Sequence, residues 1–96
     1  MTAYAIGRLQ MRDPSWVDEY RPKTMELVKK HGGKAIVRGG KMERLEGKEA
    51  LPSVVVVLEF PSMAHAKAWY NDPDYAPLIK LRQTGSDLEF ILVEGV

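Results

Sequence analysis

Ser53 to Phe60 reads SVVVVLEF and lies between Pro52 and Pro61. Successive β-branched residues favour extended backbone, and prolines, which have no N–H to give to a ladder, mark its ends. Side chains alternate along a strand, so four valines in a row place apolar groups on both of its faces. Such a strand belongs inside a sheet whose two faces are both covered. The rest of the chain has to supply that cover.

Three other segments have strand character. Ala3 to Met11 (AYAIGRLQM), Lys34 to Arg38 (KAIVR) and Asp87 to Val93 (DLEFILV) are predicted to join Ser53–Phe60 in a four-stranded antiparallel sheet. Asp13-Pro14 predicts a helix start, with Asp13 as N-cap and Pro14 in the first turn. Trp16, Val17, Tyr20, Thr24, Leu27, Val28 and His31 follow at helical spacing. Pro22 predicts a kink in that helix, and Gly32-Gly33 ends it. Ser62 caps a short helix through Tyr70, and Asp72-Pro73 starts another carrying Tyr75, Leu78, Ile79 and Arg82, with a break expected at Pro77. Residues 41–51 are charged and weakly patterned, and are predicted to form a hairpin arm turning near Gly47. The order is β-α-β-β-α-β, the split βαβ plan of a ferredoxin-like α+β domain, and no linker divides the chain.

Two helical regions cover one face of such a sheet. That face would collect Leu9, Met11, Val54, Val56, Leu58, Phe60, Leu88, Phe90 and Leu92. The opposite face would carry Tyr4, Ile6, Arg8, Ile36, Arg38, Val55, Val57, Glu59, Glu89, Ile91 and Val93. Most of these side chains are better removed from water, at about 1.5–3 kcal/mol for each buried Val or Ile. A chain of 96 residues buries only about 60–65% of its unfolded surface, and without cysteine it has no disulfide to add. The predicted solution is a homodimer in which two sheets pack face to face around a partly polar cavity, a dimeric α+β barrel. The alternative is a monomer with that face exposed.

Fourteen basic and thirteen acidic residues give a net charge of +1 with no block of one sign. Nucleic-acid binding, which draws most of its affinity from a concentrated basic face, is not expected. No run approaches the ~20 apolar residues of a membrane span. The N-terminal Met1-Thr-Ala-Tyr4 lacks the pattern of a secretory signal, so the expected location is the cytoplasm. His31 and His65 have no partner at metal-ligand spacing, and no phosphate loop, nucleophile elbow or dinucleotide fingerprint occurs, so neither a metal nor a cofactor is expected.

Arg38-Gly39-Gly40, Glu46-Gly47, Val57-Leu-Glu-Phe-Pro-Ser62 and Ala68-Trp-Tyr-Asn-Asp-Pro-Asp-Tyr75, followed by Arg82 and the ending Val93-Glu94-Gly95, resemble domain-of-unknown-function family 1330 over nearly the whole chain. The resemblance implies a dimeric α+β barrel and no established biochemical function. It also implies that Trp69, Tyr75 and Arg82 line one end of the cavity. The family often carries an arginine just before the third strand; Ser53 stands there in this chain, so if that arginine helps bind a ligand, a different ligand is expected here.

Among the polar residues, Arg8, Arg38 and Glu59 are expected on the mixed face. There they form either an ion-pair network or an arginine pair that binds a carboxylate or other anion. Tyr75 and Arg82, seven residues apart, share one helical face and act either as a packing anchor with Trp69 or as part of a pocket. Glu46 is either a solvated turn residue or, if the arm folds over the cavity, a base. In the enzymatic reading Arg38 and Arg82 hold an anionic or carbonyl group of a small apolar compound, and Tyr75 or Glu46 transfers a proton. A binding or sensing module without catalysis and a purely structural dimer are the alternatives. A binding cavity is expected to offer roughly 300 Å³ or more.

Overall fold

The computed structural model describes all residues from Met1 to Val96. Strand β1 (Ala3–Met11) leads through a 3-10 turn (Pro14–Trp16) into helix α1 (Val17–Lys30), followed by β2 (Lys34–Arg38) and β3 (Val54–Phe60). Helices α2 (Met63–Tyr70) and α3 (Ala76–Gln83) precede β4 (Ser86–Glu94). The sheet is antiparallel with strand order β2-β3-β1-β4, the ferredoxin-like order. The caps lie where residue chemistry placed them. Asp13 Oδ1 accepts from the Ser15 N–H at 3.0 Å. Ser62 Oγ accepts from the His65 N–H at 3.2 Å.

The two ladders of β1 put Ala3, Ala5, Leu9, Val54, Val56, Leu58, Phe60, Leu88, Phe90 and Leu92 on the helix side, as alternation predicts. Leu58 and Phe60 pack there with Val28, Trp69 and Tyr75 as the largest sealed side chains. The other face carries Tyr4, Ile6, Val55, Val57, Ile91 and Val93, with Ile91 52% and Val93 44% exposed. No helix is long and apolar enough to cross a membrane.

Strand β2 departs from its predicted alternation. Lys34 pairs with Glu59 and Ala35 with Leu58, but the register then shifts, and Val37 pairs with Val57 and Arg38 with Val56. Ile36 is the extra residue of a β-bulge. Regular alternation would have left Arg38 on the open face beside Val55; the bulge carries it to the helix side. The grouping of Arg38 with Arg8 and Glu59 is thereby corrected.

Two further expectations are revised. Residues 41–51 form no strands: the charged segment crosses from β2 to β3 as an irregular loop, held by Gln10 Nε2 donating to the Leu51 carbonyl at 3.4 Å. With no alternating apolar pattern, nothing in it favours a ladder. Pro77 does not break a helix, because α3 begins at Ala76 and the proline falls in its first turn, where no intrahelical donor is required. Helix α1 continues through Pro22.

The preceding Asp72-Pro73 segment is a turn fixed by a buried carboxylate. Asp72 accepts from His31 Nε2 at 2.8 Å, Lys30 Nζ at 3.0 Å and the Asp74 N–H at 2.8 Å, tying the end of α1 to the α2–α3 connection. Hydrogen bonds from His31, then the Asp74 amide, then Lys30 hold its carboxyl well below the usual value of 3.8. A depressed folded-state value means that this contribution to stability is present above the unfolded value and fades as pH falls through the folded one. Asp72→Asn is therefore expected to lose several degrees of Tm at neutral pH, with the gap to the wild type closing on acidification. Thermal melts of both proteins across the acid range check this; a gap that stays constant with pH refutes it.

Candidate functional site

A cavity of about 160 Å³ lies between α1 and the helix side of the sheet. Its walls are mostly aliphatic and aromatic, with Leu9, Val54, Val56, Leu58 and Phe90 from the sheet. Mid-strand glycine lets another group approach the backbone closely. Gly7 makes room in this way, since a Cβ there would stand 2.8 Å from the Phe90 ring. A second space of about 290 Å³ lies toward α2 and β4. Trp69, Arg82, Leu88 and Phe90 line both, so these four side chains stand between them. The first space is below the roughly 300–1,000 Å³ of sites for drug-sized ligands, and so it admits a small compound or one end of a larger one.

Trp69 is clamped in place. Its ring lies 4.7 Å from Tyr75, 5.4 Å from Phe60 and 5.9 Å from Phe90, centroid to centroid. Buried tryptophan and arginine donors ordinarily find acceptors, because an unmade bond costs about 1–3 kcal/mol. Here the buried side-chain polar atoms without a protein partner are Trp16 Nε1, Thr24 Oγ1, Trp69 Nε1 and Arg82 Nε. All four belong to residues that line the 160 Å³ cavity. The Trp16 nitrogen lies against Gly85, where an added Cβ would come within 2.8 Å of it, so Trp16 serves as wall.

Arg82 is the chemical centre of this region. The residue is only 4% exposed and takes part in none of the ion pairs of the protein. Its Nη1 donates to Tyr75 Oη at 2.9 Å and to Tyr20 Oη at 3.2 Å, and the two phenols are 2.6 Å apart. The guanidinium carbon also sits 5.9 Å from the Tyr20 ring centre and 5.8 Å from that of Phe90. Both ring faces attract the cation at that range. Burial first, and the neighbouring Tyr20 phenol second, push the Tyr75 hydroxyl far above the ordinary 10.0. Tyr75 thus stays protonated at neutral pH and is a hydrogen-bond donor, not a base.

The sequence-predicted residues divide between two places. Arg38, Trp69 and Arg82 line one cavity, with Tyr75 bonded to Arg82 behind it. Arg8 and Glu59 lie on the opposite face, where Arg8 reaches Glu49 at 3.9 Å and Glu59 reaches Lys34 at 3.8 Å. Glu46 is exposed in the 41–51 loop and does not line the cavity. Ser53 Oγ accepts from the Met11 N–H at 3.0 Å, a bond that secures the end of β1. Tyr20 and Thr24 enter the sequence pattern only as periodic core positions; their polar atoms on the buried stripe of α1 are the available signal. The lining holds Arg21, Arg38 and Arg82 but no Asp, Glu, His, Lys or Cys.

The family described as Domain of unknown function (DUF1330) matches residues 2–96. The fold is similar to that of RPA0582 from Rhodopseudomonas palustris, a protein of unknown function. The two are 20% identical over 99% of this chain and 82% of that one, with a TM-score of 0.81. SnoaB from Streptomyces nogalater, a cofactor-independent oxygenase, is 12% identical over 99% of this chain and 93% of its own, with a TM-score of 0.67. A dimeric protein of unknown function with a ferredoxin-like fold from Bacteroides fragilis is 12% identical, covering 98% and 96% of the two chains, with a TM-score of 0.57. At these identities the likeness is one of fold. No curated protein matches the sequence.

Proposed function

We propose, from the premise that this chain belongs to the DUF1330 family, that its interior cavity takes a small, mainly apolar compound through a carbonyl or carboxylate oxygen. We further propose that the protein acts on that compound as an enzyme without a tightly held cofactor. One observation carries this reading: the charged side chains that line this apolar-walled space are three arginines, with no carboxylate among them. Guanidinium groups are cations whose N–H groups only donate, so the complementary group is an acceptor oxygen. Arg38, exposed on the bulged strand, is positioned as the charged group at the mouth, and Arg82 as the charged group at depth. Fixed donors around an oxygen that gains charge are a recurrent means of lowering a barrier. The fold likeness to a cofactor-independent oxygenase adds an analogy of scaffold.

The open sheet face supports a homodimer. Tyr4, Ile6, Val55, Val57, Ile91 and Val93 lie together on it, joined by Ile36 and Val37, which are 46% and 39% exposed. Packing two such faces removes this apolar surface from water and brings Arg8 and Glu59 toward the partner sheet. Sedimentation equilibrium checks the assembly; a monomer at micromolar concentration refutes it.

For the cavity, benzoate and acetophenone are suitable probes by isothermal titration calorimetry. Arg38→Ala is expected to weaken benzoate binding about tenfold, the worth of one charge-assisted hydrogen bond, while leaving the sedimentation behaviour unchanged. Equal affinity in the variant removes Arg38 from the site. Mass spectrometry of the incubated compounds separates catalysis from simple binding, since a sensing module returns them unaltered.

A further inference from the structure

The hydrogens of the Tyr20–Tyr75–Arg82 cluster can be placed by elimination. Tyr75 is fully buried, and its hydroxyl has two neighbours, Arg82 Nη1 at 2.9 Å and Tyr20 Oη at 2.6 Å. A guanidinium nitrogen only donates, so the Tyr75 proton has a single acceptor, the oxygen of Tyr20. Tyr20 Oη then accepts twice, from Tyr75 and from Arg82 Nη1 at 3.2 Å, and its own proton is left over. Tyr75 does not line the cavity, whereas Tyr20 does. The free proton of the cluster therefore belongs to the one phenol that meets the open space.

The charges around the cavity agree with this. Arg82 is a permanent cation buried without a carboxylate, which ordinarily costs several kcal/mol. Two phenol oxygens and two ring faces offset part of that cost, and Nε is left unbonded. The other charged groups lining the cavity, Arg21 and Arg38, are also cations. No side chain of the lining can take up a proton at neutral pH.

Resting on the reading of this cavity as a ligand site, we infer that it holds its ligand as an oxyanion, with the Tyr20 hydroxyl as the donor to the charged oxygen and the buried Arg82 cation behind it. The ligand class is a compound with an ionisable oxygen, such as a carboxylic acid, an enol or a phenol. A phenol or enol entering the site releases its proton to solvent, since the lining has no base to receive it. The Tyr75 hydroxyl is spent on Tyr20 and does not itself reach the ligand.

4-Nitrophenol tests this, because its phenolate absorbs in the visible and its phenol does not. Spectrophotometric pH titration with saturating wild-type protein is expected to show the probe's apparent pKa lowered by about one unit, a tenfold change in the phenolate-to-phenol ratio at fixed pH. Tyr20→Phe is expected to abolish most of that shift, and Tyr75→Phe, which leaves the Tyr20 proton in place, only a small part. Circular dichroism establishes that both variants are folded, and the wild-type titration stands on its own if Tyr20→Phe is not. A bound probe whose pKa is unchanged or raised overturns the oxyanion inference and leaves the cavity as a site for neutral compounds. Equal loss of the shift in both variants overturns the assignment to Tyr20. Absence of calorimetric binding by 4-nitrophenol, benzoate and acetophenone alike overturns the ligand-site reading itself.

Discussion

Gly85→Ala is expected to destabilise the protein by about 3 kcal/mol or more, the upper range for a side chain forced into filled space. A Cβ at this position would lie 2.1 Å from the Asp13 carbonyl oxygen and 2.6 Å from the Trp16 ring. Relief by movement is blocked from both sides. The Gly85 carbonyl accepts from the Arg12 N–H at 2.8 Å and the Asp13 N–H at 2.9 Å, so separating the two segments breaks the bonds that hold them together. Moving Trp16 instead displaces a wall of the cavity. Urea titration should show a lower midpoint with an unchanged slope, as for loss of stability without a change in the denatured state. A loss below about 1 kcal/mol would mean that the start of β4 shifts freely and that this contact is not rigid.

Arg82→Met is expected to separate stability from binding. Breaking a paired buried charge is destabilising, but Arg82 has no carboxylate to strand. Apolar replacement of buried ionic groups is often neutral or stabilising by about 1–4 kcal/mol. The Tyr20 and Tyr75 hydroxyls, 2.6 Å apart, still satisfy one another. Methionine keeps an unbranched chain against Phe90 and Tyr20. The Tm should therefore hold or rise, while affinity for 4-nitrophenolate falls at least tenfold, read by calorimetry above the probe's pKa. A variant that melts much earlier and still binds would reverse both parts, making Arg82 a structural residue.

Much of the architecture was legible in residue alternation. β1, β3 and β4 pair with one another without a register shift, and their ladders distribute Leu58, Phe60, Leu88 and Phe90 to the helices as strand alternation requires. The short β2 gave no such guidance. Five residues with a single register shift cannot be told from five without one, because both are read from the same KAIVR. Alternation alone therefore puts Arg38 on the open face, and the register shift reverses it. Asp72 was read as a helix start, which its dipeptide with Pro73 favours, and its burial against Lys30 and His31 depends on a contact across 41 residues that no local pattern records. Tyr20 stood in plain view on the α1 stripe; its role follows only from the direction of a proton, which requires Tyr75 and Arg82 beside it.

The bulge at Ile36 also has a meaning for how such a chain tolerates change. Loss of a whole residue from within a strand usually inverts everything downstream, since inside and outside exchange places. Here Ile36 and Val37 together occupy the station opposite Val57, so excising Ile36 leaves Val37 opposite Val57 and Arg38 opposite Val56. The strand is one letter longer than its ladder needs. A lineage can therefore shorten it without moving the arginine.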